Sequence, residues 1–69
     1  MIIFRIDILK ALKEKGYNTT YLRKNKILSE STIQKIRSKD TSLTLKNLDV
    51  ICEMLDMQPG DVVERIEKE

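Results

Sequence analysis

The segment from Tyr17 to Lys39 carries the side chains best suited to binding a phosphate-bearing or hydrogen-bonding partner. Residues 21–39 hold six lysines and arginines against one glutamate, a net charge of +5. Residues 1–20 carry +2 (four basic, two acidic), and residues 40–69 carry −5 (three basic, eight acidic). A positive field concentrated on one segment is what a phosphate-facing element requires. The alternative is a solvated helix face, which many charge runs are.

The same segment divides into two short predicted helices with a tight connection between them. Asn18 or Thr19 can cap a helix over about residues 19–25, and Ser29 can cap a second over about 29–38. Two isoleucines of the second helix, Ile33 and Ile36, face inward, and its polar residues face outward. Two short helices meeting at a steep angle, the second presenting polar and basic side chains, predict a helix-turn-helix.

Three further helices are predicted to hold this pair in place. Apolar spacing and end signals place them at about 7–15, ended by Gly16, at 45–56, capped by Thr44, and at 59–65, opened by Pro59. The inward stripe of the fourth helix is Leu45, Leu48, Ile51, Cys52 and Leu55. The alternation of Ile2, Phe4 and Ile6 favours a short N-terminal strand. The chain is therefore predicted to be one all-α, five-helix domain over residues 1–69, with an added strand.

Composition excludes several classes of protein. The chain contains no histidine, so Cys–His zinc sites and histidine-based catalysis are excluded. Its single cysteine, Cys52, cannot form an internal disulfide and is assigned to the core. No nucleophile motif or Gly-rich phosphate loop supports an enzyme. No apolar run is long enough to span a membrane. We expect a cytoplasmic protein with no cofactor, metal or small-molecule ligand.

The order of these elements and their residues resembles the Cro/C1-type helix-turn-helix family of transcriptional regulators, especially its small stand-alone domains. The resemblance covers nearly the whole chain. The family usually has a small residue where this chain has Arg23, and glycine with a positive φ where it has Ile27. The matching parts are Gly16, Leu22, Leu28-Ser29-x-Ser31-Thr32-Ile33-x-x-Ile36-Arg37, and Leu45-x-x-Leu48-x-x-Ile51-Cys52-x-x-Leu55 followed by Gln58-Pro59-Gly60-Asp61.

The resemblance implies double-stranded DNA as the partner, with the third helix in the major groove. The positions that then reach base edges are Glu30, Ser31, Gln34 and Lys35. Those that contact phosphates are Thr19, Thr20, Arg23, Ser29, Lys39, Thr41, Ser42 and Lys46. Arg37 is expected either to form an internal ion pair or to contact DNA.

The resemblance further implies a transcriptional repressor that binds a palindromic operator as a homodimer. Two segments are candidates for a dimer strand: the one containing Ile2, Phe4 and Ile6, and the one from Val62 to Ile66. Pairing of the two segments within one chain is an equal alternative.

A second class of function is a protein-interaction module, such as an antitoxin-like adaptor that has lost base reading. Arg23, Ile27, Glu30 and the acidic C-terminal half support this alternative. It is distinguished from a DNA-binding protein by whether the +5 segment forms one continuous face.

Overall fold

Within residues 1–67, which the computed structural model describes, the chain forms five helices and two strands. The predicted five-helix fold with an N-terminal strand is confirmed. In chain order the elements are β1 (Ile2–Phe4), α1 (Ile8–Glu14), α2 (Thr19–Lys24), α3 (Glu30–Arg37), α4 (Leu45–Leu55), α5 (Pro59–Val62) and β2 (Val63–Arg65).

The first four helices each begin at a short polar side chain. The cap oxygen accepts a hydrogen bond from the backbone N–H three residues along, which would otherwise lack a partner. The cap of α2 is Asn18 and not Thr19, so Thr19 occupies the first helical position. Each such cap stabilises a helix by about 1 kcal/mol. The four caps are Asp7, Asn18, Ser29 and Thr44.

Each of the same four helices is followed, one or two residues after its last helical residue, by a residue with left-handed backbone. Its N–H bonds the carbonyl three residues back, and the next N–H bonds the carbonyl five residues back. This pairing satisfies the carbonyls that the last helical turn leaves open. One of these residues is glycine, as predicted for Gly16, but the other three carry a side chain. Their φ angles are 94° at Gly16, 55° at Lys26, 63° at Lys39 and 55° at Asp56.

The left-handed residue of the turn between α2 and α3 is Lys26 and not Ile27, the position where the family usually has glycine. The N–H of Ile27 instead bonds the carbonyl of Leu22 at 2.9 Å, and its side chain packs against the core. A β-branched residue is tolerated in the turn because the strained conformation falls one residue earlier.

Replacing Lys26 with glycine is expected to stabilise the domain by about 0.5–1 kcal/mol, because glycine adopts positive φ without steric cost. The matched control is Lys24→Gly, two residues earlier and still helical, which should destabilise by about 0.5–1 kcal/mol. Urea unfolding of both variants measures the difference. Destabilisation by both substitutions would contradict the assignment of the left-handed residue.

All five helices and the turn before α3 contribute to a single apolar cluster. Burial raises the pKa of the Cys52 thiol, with the carboxylates of Asp49 and Asp61 adding to the shift, which favours the neutral thiol. The cluster consists of Ile8, Leu12, Leu22, Leu28, Ile33, Ile36, Ile51, Cys52, Leu55 and Val62.

The predicted inward position of Leu45 is wrong, since 84% of this side chain is exposed. Burial along the α4 stripe falls towards the start of the helix, from buried Cys52 through half-buried Leu48 to exposed Leu45. The first turn of α4 therefore extends past the core, and helical periodicity alone does not show where a core ends.

The two strands pair antiparallel within one chain, with Ile2 opposite Arg65 and Phe4 opposite Val63. The predicted helix over 59–65 is wrong in its second half, because α5 ends at Val62 and residues 63–65 are extended. The backbone of these residues bonds β1 instead of continuing the helix. Arg5 strengthens the junction by pairing with Glu64 at 3.1 Å and donating to the carbonyl of Gly60 at 2.8 Å. The two candidate dimer segments thus pair with each other in this structure.

Candidate nucleic-acid interface

The helix pair α2–α3 is held by apolar contacts beneath the turn. Leu22 of α2, Leu28 of the turn and Ile33 of α3 are essentially inaccessible to solvent. The carbonyl of Leu22 accepts hydrogen bonds from Ile27 and Leu28 at 2.9 and 3.4 Å, which attaches the turn to the end of α2. The predicted inward residues therefore set the position of α3 relative to α2.

A buried hydroxyl connects the start of α3 to α4. Thr32 accepts from the hydroxyl of Ser29 at 3.0 Å and from the side-chain amide of Asn47 at 3.4 Å. Ser29 also accepts from the backbone N–H of Thr32 at 3.2 Å as the cap of α3. Sequence reasoning assigned the cap but missed the link to Asn47, since the two helices are joined only by the tertiary fold.

The outward face of α3 presents most of the predicted base-reading side chains. Glu30, Ser31 and Gln34 are exposed. Lys35 is half-buried, and its ammonium group lies 3.5 Å from the carbonyl of Ser42 in the loop after α3. The hydroxyl of Ser31 lies 3.2 Å from that of the cap residue Ser29. The first three therefore share an open surface, whereas Lys35 lies against the following loop.

Glu30 makes contacts that the sequence did not indicate. Its Oε2 lies 2.7 Å from a guanidinium nitrogen of Arg23 on α2. Its Oε1 accepts a hydrogen bond from Nε2 of Gln34 at 3.0 Å. The hydrogen bond from Arg23, followed by that from Gln34, lowers the pKa of the Glu30 carboxyl group below its ordinary value. The spacing of Glu30 and Gln34 is typical of a helical pair, but the contact across the turn to Arg23 requires the fold.

The predicted phosphate-binding residues are distributed over several elements. Thr19 and Thr20 lie in the first turn of α2, Lys39 follows α3, and Lys46 lies in the first turn of α4. Among residues 1–67, none of these four side chains forms a hydrogen bond with another predicted site residue. Arg23 lies outward and pairs with Glu30.

The loop after α3 is held by short polar contacts. Asp40 accepts from the backbone N–H of Ser42 at 2.9 Å, and hydrogen bonding to Ser42 lowers the pKa of the Asp40 carboxyl. The hydroxyl of Thr41 donates to the carbonyl of Ile2 in β1 at 3.3 Å. The loop that carries Lys39 and Ser42 is therefore attached to the sheet. Arg37 takes part in none of the ion pairs found among residues 1–67.

A buried helix pair whose second helix presents exposed polar and basic side chains defines a helix-turn-helix domain. Residues 7–68 match the family model described as the Cro/C1-type HTH DNA-binding domain. The match covers nearly the whole chain, and the protein belongs to this family of DNA-binding domains. Comparison with curated proteins gave no match, and comparison with solved structures gave none either.

Residues 1–67 were also searched for membrane-spanning helices and for groups of metal-binding side chains. No described helix has both the length and the apolar character needed to cross a membrane. No group of three or more histidine, cysteine, aspartate or glutamate side chains in this range could hold a metal ion.

Proposed function

We propose that this protein is a sequence-specific transcriptional repressor that inserts α3 into the major groove of double-stranded DNA. The observation that carries the proposal is the open face of α3, where Ser31 and Gln34 are exposed at the start of a helix whose inner side is buried. The net charge of +5 on residues 21–39 supports the same proposal, because lysine and arginine side chains attract DNA phosphates. A cytoplasmic location, where DNA is accessible, is part of this proposal.

Base reading follows from the chemistry of the exposed side chains. Gln34 can bond adenine through both N6 and N7, and Lys35 can donate to guanine O6 and N7 after its weak contact with Ser42 opens. Ser31 can donate to or accept from several bases. From its type alone Glu30 would accept from cytosine N4, but both of its carboxylate oxygens have partners within the protein.

Phosphate contacts fix the register of α3 without reading sequence. Thr19 and Thr20 offer hydroxyls and backbone N–H groups at the start of α2. Lys39, Thr41, Ser42 and Lys46 follow α3 and are proposed to contact the backbone on the other side of the groove. Arg23 and Ser29 are weaker candidates, because one pairs with Glu30 and the other caps α3.

Replacing Lys39 with alanine is expected to weaken binding to every duplex and to reduce the slope of log K against log salt by about 1. Lysine and alanine both have a Cβ, so the steric cost of φ 63° at position 39 is the same in the wild-type protein and in the variant. The free energy of unfolding should therefore change little. Fluorescence anisotropy titrations at several salt concentrations measure the slope. Lys39→Arg keeps the charge and should keep the wild-type slope. An unchanged slope in Lys39→Ala would remove Lys39 from the proposed interface.

We propose that the repressor binds as a two-fold dimer, because one small module rarely supplies operator affinity alone. The pairing of β1 with β2 inside one chain leaves the contact between protomers to another surface or to the outer strand edges. Sedimentation of the protein with a duplex carrying two half-sites should give two protomers per duplex. One protomer per duplex at saturating protein would contradict the dimer.

A further inference from the structure

A chain of three side chains connects α2 to the open face of α3. Arg23 holds Oε2 of Glu30 at 2.7 Å, and Gln34 donates to Oε1 of the same carboxylate at 3.0 Å. We infer that Glu30 is a positioning residue, which orients the amide of Gln34 for base reading and is itself anchored by Arg23. This inference rests on the proposed function, because it names how one base contact is prepared.

The hydrogen-bonding capacity of Gln34 supports this role. An ionised carboxylate only accepts hydrogen bonds, so the amide nitrogen of Gln34, and not its oxygen, must face Glu30. The amide nitrogen has two hydrogens, and Glu30 engages one of them. The second hydrogen and the amide oxygen stay free, and these are the donor and the acceptor that adenine N7 and N6 require. Glu30 thus orients the amide without using the groups that read the base.

The position of Arg23 explains how a carboxylate can lie at the tip of α3. An unpaired negative charge there would be repelled by DNA phosphates. The guanidinium group of Arg23, which lies on a different helix 2.7 Å from the carboxylate, offsets part of this charge. With both oxygens engaged, Glu30 has less capacity to accept from a cytosine amino group.

The test is a double-mutant cycle on base discrimination. Two duplexes are compared: the one that the wild-type protein prefers, and a variant of it altered at the base pair for which Gln34→Ala has lost the preference. Competition titrations give the ratio of the affinities for these two duplexes. A bidentate contact by Gln34 corresponds to about a 5- to 150-fold ratio. Glu30→Ala should reduce this ratio severalfold in the wild-type background and leave it unchanged in the Gln34→Ala background. Glu30→Gln can still accept from Gln34 and should retain more of the ratio than Glu30→Ala.

Other outcomes overturn the inference in distinguishable ways. A loss of preference in Glu30→Ala at a different base pair, adding to that of Gln34→Ala, would show that Glu30 reads a base itself. An unchanged ratio in Glu30→Ala would show that Gln34 needs no positioning, while the proposed function stands. A wild-type protein without any base preference would overturn the proposed function and the inference together. Circular dichroism melting of each variant confirms that these exposed substitutions leave the fold intact.

Discussion

Replacing Leu22 with alanine is expected to lower the free energy of unfolding by about 2–5 kcal/mol. Leu22 is completely buried where α2, the turn and α3 meet. The substitution removes apolar contacts and leaves a cavity that the surrounding helices fill only in part. A domain of this size has a total stability of about 3–10 kcal/mol, so the loss would unfold a substantial fraction of the protein.

The chain offers a matched control for this substitution. Leu45→Ala removes the same atoms from a side chain that is 84% exposed, so stability should change by less than about 0.5 kcal/mol. Urea unfolding followed by far-UV circular dichroism gives both values. Equal destabilisation by the two substitutions would contradict the placement of Leu22 in the core and of Leu45 on the surface.

Replacing Gln34 with alanine is expected to abolish the preference for one base pair, a loss of about 1–3 kcal/mol of discrimination. The amide is exposed on the open face of α3, so stability should change little. Because the side chain is neutral, the salt dependence of binding should also stay the same. Competition titrations with duplexes altered one base pair at a time locate the affected position.

Two other variants serve as controls for the Gln34→Ala experiment. Lys39→Ala should show the opposite behaviour, with the preferred sequence retained and the salt slope reduced. Ser31→Ala removes a single hydroxyl from the same face and should have a smaller effect at a neighbouring base pair. If Gln34→Ala leaves the preferred sequence unchanged, Gln34 does not read a base.

Local signals in the sequence predicted much of the fold. Ser29 and Thr44 cap their helices because a short polar side chain before an apolar stripe can bond the free N–H groups of the first turn. Gly16 ends α1 with positive φ because glycine lacks a Cβ. Leu22 and Ile33 are buried as their spacing predicted. Each of these features depends on residues within about one helical turn.

The sequence predictions that were wrong concern features that depend on tertiary contacts. The end of α5 depends on pairing with β1, about sixty residues away in sequence, so the helical pattern over 59–65 was misleading. Leu45 follows the periodicity of a buried stripe but lies beyond the core's edge.

The candidate site was predictable in its residue types but not in its internal contacts. The exposed positions of α3 follow from its helical pattern. The contact of Arg23 with Glu30 depends on the angle between α2 and α3, which local sequence does not determine. That contact changes the role proposed for Glu30 from base reading to positioning.

Sequence-specific binding through α3 can be tested by selecting bound sites from a random duplex library at near-physiological salt, followed by sequencing. We expect enrichment of a palindrome whose half-sites lie about one helical turn apart. We also expect an adenine at the position whose preference Gln34→Ala removes. Weak, salt-sensitive retention of all duplexes without enrichment would contradict sequence-specific binding and would favour a protein-interaction adaptor that has lost base reading.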